Sequence, residues 1–79
     1  MESTYSYVRN KIYEKGMTLT EFSELTGLSR YTINKLGQKR ARDRTLFKIA
    51  EGLGDLKLAI TIKQLEDYEL AQRKKGKEV

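Results

Sequence analysis

Apolar residues recur at spacings of three and four over the first part of the chain and change to strict alternation after residue 54. Tyr5, Val8 and Ile12 share one face of a helix predicted from Thr4 to Lys15, because side chains three and four positions apart stack along an α-helix. Gly16 supplies the left-handed residue that ends it. Thr18 and Glu21 have capping-box spacing, in which the threonine oxygen accepts from a first-turn amide and the glutamate reaches back, so a second helix starts at Thr18. Phe22 and Leu25 carry its apolar face. Ser23 is the small residue on the side that approaches the next helix, Gly27 allows the turn, and Leu28 plugs it. Ser29 caps a third helix, along which Ile33 and Leu36 face inward while Arg30, Tyr31, Asn34 and Lys35 lie on other faces.

Beyond Gly52 and Gly54, Leu56, Leu58, Ile60 and Ile62 alternate with Lys57, Ala59, Thr61 and Lys63. That period and the β-branched content predict a strand with one apolar face, although Leu58, Ile62 and Leu65 also fit a helical stripe. A lone strand cannot stand in water with bare edges, so pairing within the chain or across a dimer is expected, with Leu56, Leu58, Ile60 and Ile62 as the dimerisation face. From Gln64 to Lys75, Glu66, Asp67 and Glu69 precede Arg73, Lys74 and Lys75, the order that suits a helix macrodipole. Alternation of Tyr68, Leu70 and Gln72 would instead suit a returning strand, with Glu66 and Asp67 in the turn. Residues 73–79 are too polar to pack and read as a flexible basic tail.

Composition narrows what such elements can do. A chain of 79 residues buries only ~60% of its unfolded surface, which leaves little room for a catalytic cleft beside a core. With no cysteine and no histidine, neither disulfides nor an ordinary zinc site is expected, and no cofactor is implied. The same lack, with no close carboxylate cluster, leaves no evident base or nucleophile, so a binding module is expected rather than an enzyme. The N-terminal stretch lacks the apolar core of a signal peptide, and no run of eighteen apolar residues occurs, so no membrane partner and a cytoplasmic location are expected.

Sixteen Lys and Arg against eleven Asp and Glu give a formal charge of +5, and the distribution matters more than the sum. Arg30, Lys35, Lys39, Arg40, Arg42 and Arg44 are opposed only by Asp43 over their span. Positive charge therefore gathers at the third helix and the loop leaving it. Two short helices joined by a tight turn, from Thr18 to Leu36, have the plan of a helix-turn-helix that lays its second helix in the DNA major groove.

Thr18, Phe22, Ser23, Gly27, Leu28, Ser29, Ile33 and Leu36 sit at the spacing of the Cro and lambda-repressor family of helix-turn-helix proteins, which this chain resembles. The likeness continues into Leu46, Phe47, Ile49, Ala50 and Leu53, similar to that family's fourth helix, and so spans about Val8 to Gly54. It implies a mainly α, compact four- to five-helix lambda-repressor-like domain over residues 1–54, with motif helices at about 18–26 and 29–37. Residues 55–72 form a C-terminal strand or helix extension used in dimerisation.

Three departures stand out. Leu19 occupies the position where the family has a phosphate-contacting glutamine. Ile12 and Gly37 occupy the positions of a familiar arginine–glutamate pair, both lost together, as physics prefers when removal of one partner would strand a buried charge. The loop between Leu36 and Leu46 is about two residues shorter than usual and lacks its proline, with Asp43 expected to cap the fourth helix.

The resemblance assigns base contacts to Arg30 and Tyr31, near the N-terminus of the groove helix, with Asn34 and Lys35 a turn further on. Arg30 can donate two bonds to guanine O6 and N7, and Asn34 can read adenine. Thr18, Lys39, Arg40, Arg42 and Arg44 are expected at phosphates, and the basic tail is a further candidate for the backbone. The expected function is a sequence-specific, Cro-like transcriptional regulator that binds double-stranded DNA as a homodimer on a pseudo-palindromic operator. The alternative is a protein-interaction module of antitoxin or antirepressor type on the same fold, with a protein partner and secondary or lost DNA binding.

Overall fold

Each of the first three helices is bounded by a residue that satisfies orphan backbone groups. The computed structural model describes residues 3–77, with side chains through Lys74. Five helices run along them: α1 (Thr4–Glu14), α2 (Leu19–Thr26), α3 (Arg30–Asn34), α4 (Asp43–Gly52) and α5 (Leu58–Lys77). The Ser3 hydroxyl caps α1 by accepting from the Ser6 amide at 3.0 Å. The expected capping box on α2 is complete: Thr18 Oγ1 accepts from the Glu21 amide at 3.1 Å and Glu21 Oε1 accepts from the Thr18 amide at 3.0 Å. Gly27, at φ 76°, ends α2, and Ser29 caps α3 through the Thr32 amide.

One core joins all five helices. Val8 and Ile12 of α1, Phe22 of α2, Ile33 and Leu36, Leu46, Ile49 and Ala50 of α4, Leu53, and Ala59 and Ile62 of α5 form a single buried cluster. Gly52 sets the approach of α4 to α2, because a Cβ there would lie 2.8 Å from both the Phe22 ring and the Thr26 methyl. Leu28 packs against the cluster, as expected, and the Ser23 hydroxyl donates to its carbonyl. Leu25 does not. It is exposed, at the rim of the α2–α4 contact beside Lys48 and Glu51.

Two boundaries differ from the sequence expectation. The third helix ends at Asn34 rather than near residue 37, because Lys35 is its C-cap and Gly37 turns the chain at φ 83°. The N-cap of α4 is Arg42, which makes no side-chain capping bond, and Asp43 is the first helical residue. Its carboxylate there faces the positive end of the helix dipole and pairs with Lys63 Nζ at 3.2 Å.

The predicted strand over Leu56–Lys63 is a helix. Asp55 opens it, accepting from the Lys57 amide through Oδ1 and from the Leu58 amide through its carbonyl, both at 3.0 Å. The reason lies in what α5 buries: Ala59, Ile62, Glu66 and Glu69, spaced three and four apart on one face. A strand would put Ile60 and Ile62 on the same side, whereas here Ile62 is 0% exposed and Ile60 65% exposed. α5 packs on α1 and α4, and its backbone bonds are internal, so it needs no strand partner. The tail departs too. Helix continues through Lys77, supported by the Glu69–Arg73 pair at i,i+4; residues 78–79 lie outside the described residues.

Candidate nucleic-acid interface

Capping by Ser29 directs α3 so that Ile33 faces the core, which leaves Arg30, Tyr31 and Asn34 exposed on its outer side. Arg30 and Tyr31 form the first turn, where side chains of a groove-lying helix reach furthest. Lys35, half-buried, places Nζ 5.5 Å from the centroid of the Tyr31 ring, which orients both side chains through a cation–π contact. Thr18 spends its oxygen lone pair on the Glu21 amide, and its hydroxyl proton can still be donated to a phosphate. Leu19 packs partly into the core instead of facing a ligand.

Between α3 and the following loop runs an open cleft of about 300 Å³. Tyr31, Lys35, Lys39, Arg40 and Arg42 line it, so four cations converge beside the exposed face of α3. Lys39 and Arg42 are exposed, and Leu36 and Lys39 meet in an isolated bridge that tightens the loop. Arg44, in the first turn of α4, is exposed as well.

Arg40 differs from its neighbours. Its NH1 lies 2.6 Å from Asp67 Oδ1 and 3.4 Å from Glu66 Oε1, so α5 supplies its partners. Glu66 is fully buried, and its second oxygen accepts from the Ala41 amide at 2.8 Å. Burial pushes the Glu66 carboxyl above its ordinary value, against the lowering effect of the Ala41 amide and Arg40. Asp67, by hydrogen bond and charge, raises the Arg40 guanidinium further.

One turn along α5, Glu69 performs a similar task. Its Oε1 accepts from the Thr4 amide at 2.8 Å, its Oε2 from Arg73 NH2 at 3.1 Å, and Arg73 Nε donates to the Gly37 carbonyl at 3.0 Å. Burial raises the Glu69 carboxyl, but the Thr4 amide, the Thr4 side chain and Arg73 outweigh it and the net shift is downward. A carboxylate and a guanidinium from α5 are thus seated against Gly37, where any side chain would collide with Glu69. Glu66, Asp67, Glu69 and Arg73 escape a sequence reading that takes residues 64–75 only as a charge order suited to a helix macrodipole or as the turn of a returning strand. The three- and four-residue spacing of Glu66, Glu69 and Arg73 in line with Ala59 and Ile62 is the signal that identifies that face.

The four residues expected at a dimer face separate. Leu56 and Ile60 are exposed, Leu58 is half-buried and Ile62 belongs to the core, because helical geometry disperses positions that a strand would align. Ile60 instead adjoins Phe47, itself exposed, along a groove between α4 and α5 lined by Asp43, Leu46, Ala59 and Lys63. Among the described residues no helix is long and apolar enough to cross a membrane, and no three metal-ligating side chains gather.

Comparison with known protein families matches residues 8–54 to the Cro/C1-type HTH DNA-binding domain. No curated protein and no solved structure matches the chain.

Proposed function

The chain belongs to the Cro/C1-type helix-turn-helix DNA-binding family, and on that premise we propose that it is a sequence-specific transcriptional regulator that reads an operator with α3. The observation that carries this reading is the pairing of an exposed α3 face, Arg30, Tyr31 and Asn34, with the cation-lined cleft beside it. Arg30 reads guanine through its fork, Asn34 adenine, and Lys35 and Tyr31 act together at the neighbouring base or phosphate. Thr18, Lys39, Arg42 and Arg44 hold phosphates and set register.

The regulator acts as a homodimer, with Ile60, Leu56 and Phe47 meeting their counterparts across a twofold axis. The exposure of Ile60 and Phe47 along the α4–α5 groove, and of Leu56 just ahead of α5, supports this arrangement. Two copies of α3 then lie about one DNA turn apart, ~34 Å, and the operator is pseudo-palindromic. Occupying such a site excludes polymerase or a rival protein, which is how a chain of this kind represses.

Arg30→Ala is the test. It costs specific operator affinity by ~1–3 kcal/mol and relaxes preference at one base pair per half-site. Titration against single-base operator variants reads both effects, and unchanged affinity and preference would remove Arg30 from the reading set.

A further inference from the structure

Arg40 stands in the basic loop, yet it is the cation of that loop that α5 has already matched. Its NH1 bridges Asp67 and Glu66, while Glu66 also holds the Ala41 amide. Lys39 and Arg42, exposed on either side, have no carboxylate partner among the described residues. We propose that Glu66 and Asp67 keep Arg40 off the DNA backbone and use it, with the Ala41 amide, to set the position of the loop whose phosphate contacts are Lys39 and Arg42. The proposal rests on the DNA-binding reading above and assigns Glu66, Asp67 and Arg40 as positioning residues for that interface.

The energetic argument concerns what Arg40 would leave behind. Glu66 is 0% exposed, and if it loses Arg40 it keeps only the Ala41 amide and the lesser pull of Lys63 against the cost of its buried charge. The Asp67 arm is about half exposed and screened by salt as a phosphate contact would be, so the hold on Arg40 comes from the buried Glu66. A guanidinium matched internally also has little share in counterion release, which depends on the number of phosphates the protein neutralises. The clasp comes from α5, beyond the 8–54 segment matched to the family, so the loop's position is set by an element outside the matched domain.

The experiment is a titration of a random-sequence DNA duplex at several salt concentrations with the wild-type chain, Arg42→Ala and Arg40→Ala. Arg42→Ala flattens the plot of log affinity against log salt by about 0.9, the loss of one phosphate contact. Arg40→Ala leaves the slope unchanged and lowers affinity by the same factor at every salt concentration, because Glu66 still holds the loop through the Ala41 amide and Lys39 and Arg42 keep their phosphates in a less well fixed loop. A slope flattened by about 0.9 in Arg40→Ala, as for a lost contact, overturns the proposal while leaving the DNA reading intact. A wild-type chain with no salt-dependent DNA binding overturns the DNA reading and the proposal with it.

A second measurement on the free protein guards against a variant that simply folds poorly. In a double-mutant cycle of Arg40→Ala and Asp67→Asn, urea midpoints shift non-additively if the clasp exists. Strictly additive shifts overturn it.

Discussion

At Gly37 the backbone has φ 83°, and a Cβ would fall on the Glu69 carboxylate. At Gly27 φ is 76° but nothing lies within 4 Å of that position. Gly27→Ala therefore costs only the left-handed conformation, about 1–2 kcal/mol. Gly37→Ala costs distinctly more, since Glu69 must also leave Thr4 and Arg73. Urea unfolding of the two variants measures the difference, and equal losses would contradict the seat described for Glu69. The same two carboxylates make opposite contributions to pH dependence. Glu69 is held below its ordinary value, so its stabilisation is present above the unfolded value and disappears as pH falls through the depressed one. Glu66 is raised, so the folded state binds more protons than the unfolded one between the ordinary and the raised values, and its contribution declines as pH rises through that interval. The stability gap between wild type and Glu69→Gln should widen with rising pH, and that between wild type and Glu66→Gln should narrow. Parallel pH profiles for the two variants would be inconsistent with these environments.

At the scale of elements, α5 separates what is legible in the sequence from what is not. Caps and turns are local: Thr18 with Glu21, Gly27 and Ser29 fix α2 and the start of α3 by backbone bonds spanning three or four residues, and each stands where the sequence places it. The segment after Gly54 carries both an alternating and a helical pattern, and tertiary packing chooses between them. Sequence periodicity counts apolar residues, so it misses a buried face half of which is Glu66 and Glu69. Those carboxylates are tolerated inside because the Ala41 and Thr4 amides, Arg40 and Arg73 come from distant parts of the chain or from the helix's own next turns. The boundary of α3 was illegible for a related reason: Gly37 looks like a lost charge in sequence and is a docking point for α5 in space. The helix predicts unlike behaviour for two neighbours that a strand would treat alike. Ile62→Ala should destabilise by about 2–5 kcal/mol through a core cavity. Ile60→Lys should leave folding within about 0.5 kcal/mol of wild type, as surface changes do. Sedimentation of Ile60→Lys should show loss of the dimer, and a dimer that persists would place the interface elsewhere.

Across the whole molecule, positive charge and the exposed face of α3 lie together, while α5 spans from the Thr4 amide at the start of α1 to the loop at Arg40. Under the proposed function, three regions would divide three tasks: base reading by α3, phosphate contact by the residues around it, and bracing by α5. The exposure of Arg30, Tyr31 and Asn34 was legible in sequence because the Ser29 cap and inward Ile33 fix which side of α3 faces out, whereas the base contacts proposed for them come from the family resemblance. The pairing of Arg40 with α5 was not, since Arg40 and Arg42 have the same charge and differ only in what lies opposite them. Selection of bound sites from random DNA tests the central claim most directly. Enrichment of an inverted repeat with half-sites centred about 10 base pairs apart is the predicted result. Failure to enrich any sequence, by a folded chain, would contradict the account and favour a protein-interaction role for the same fold.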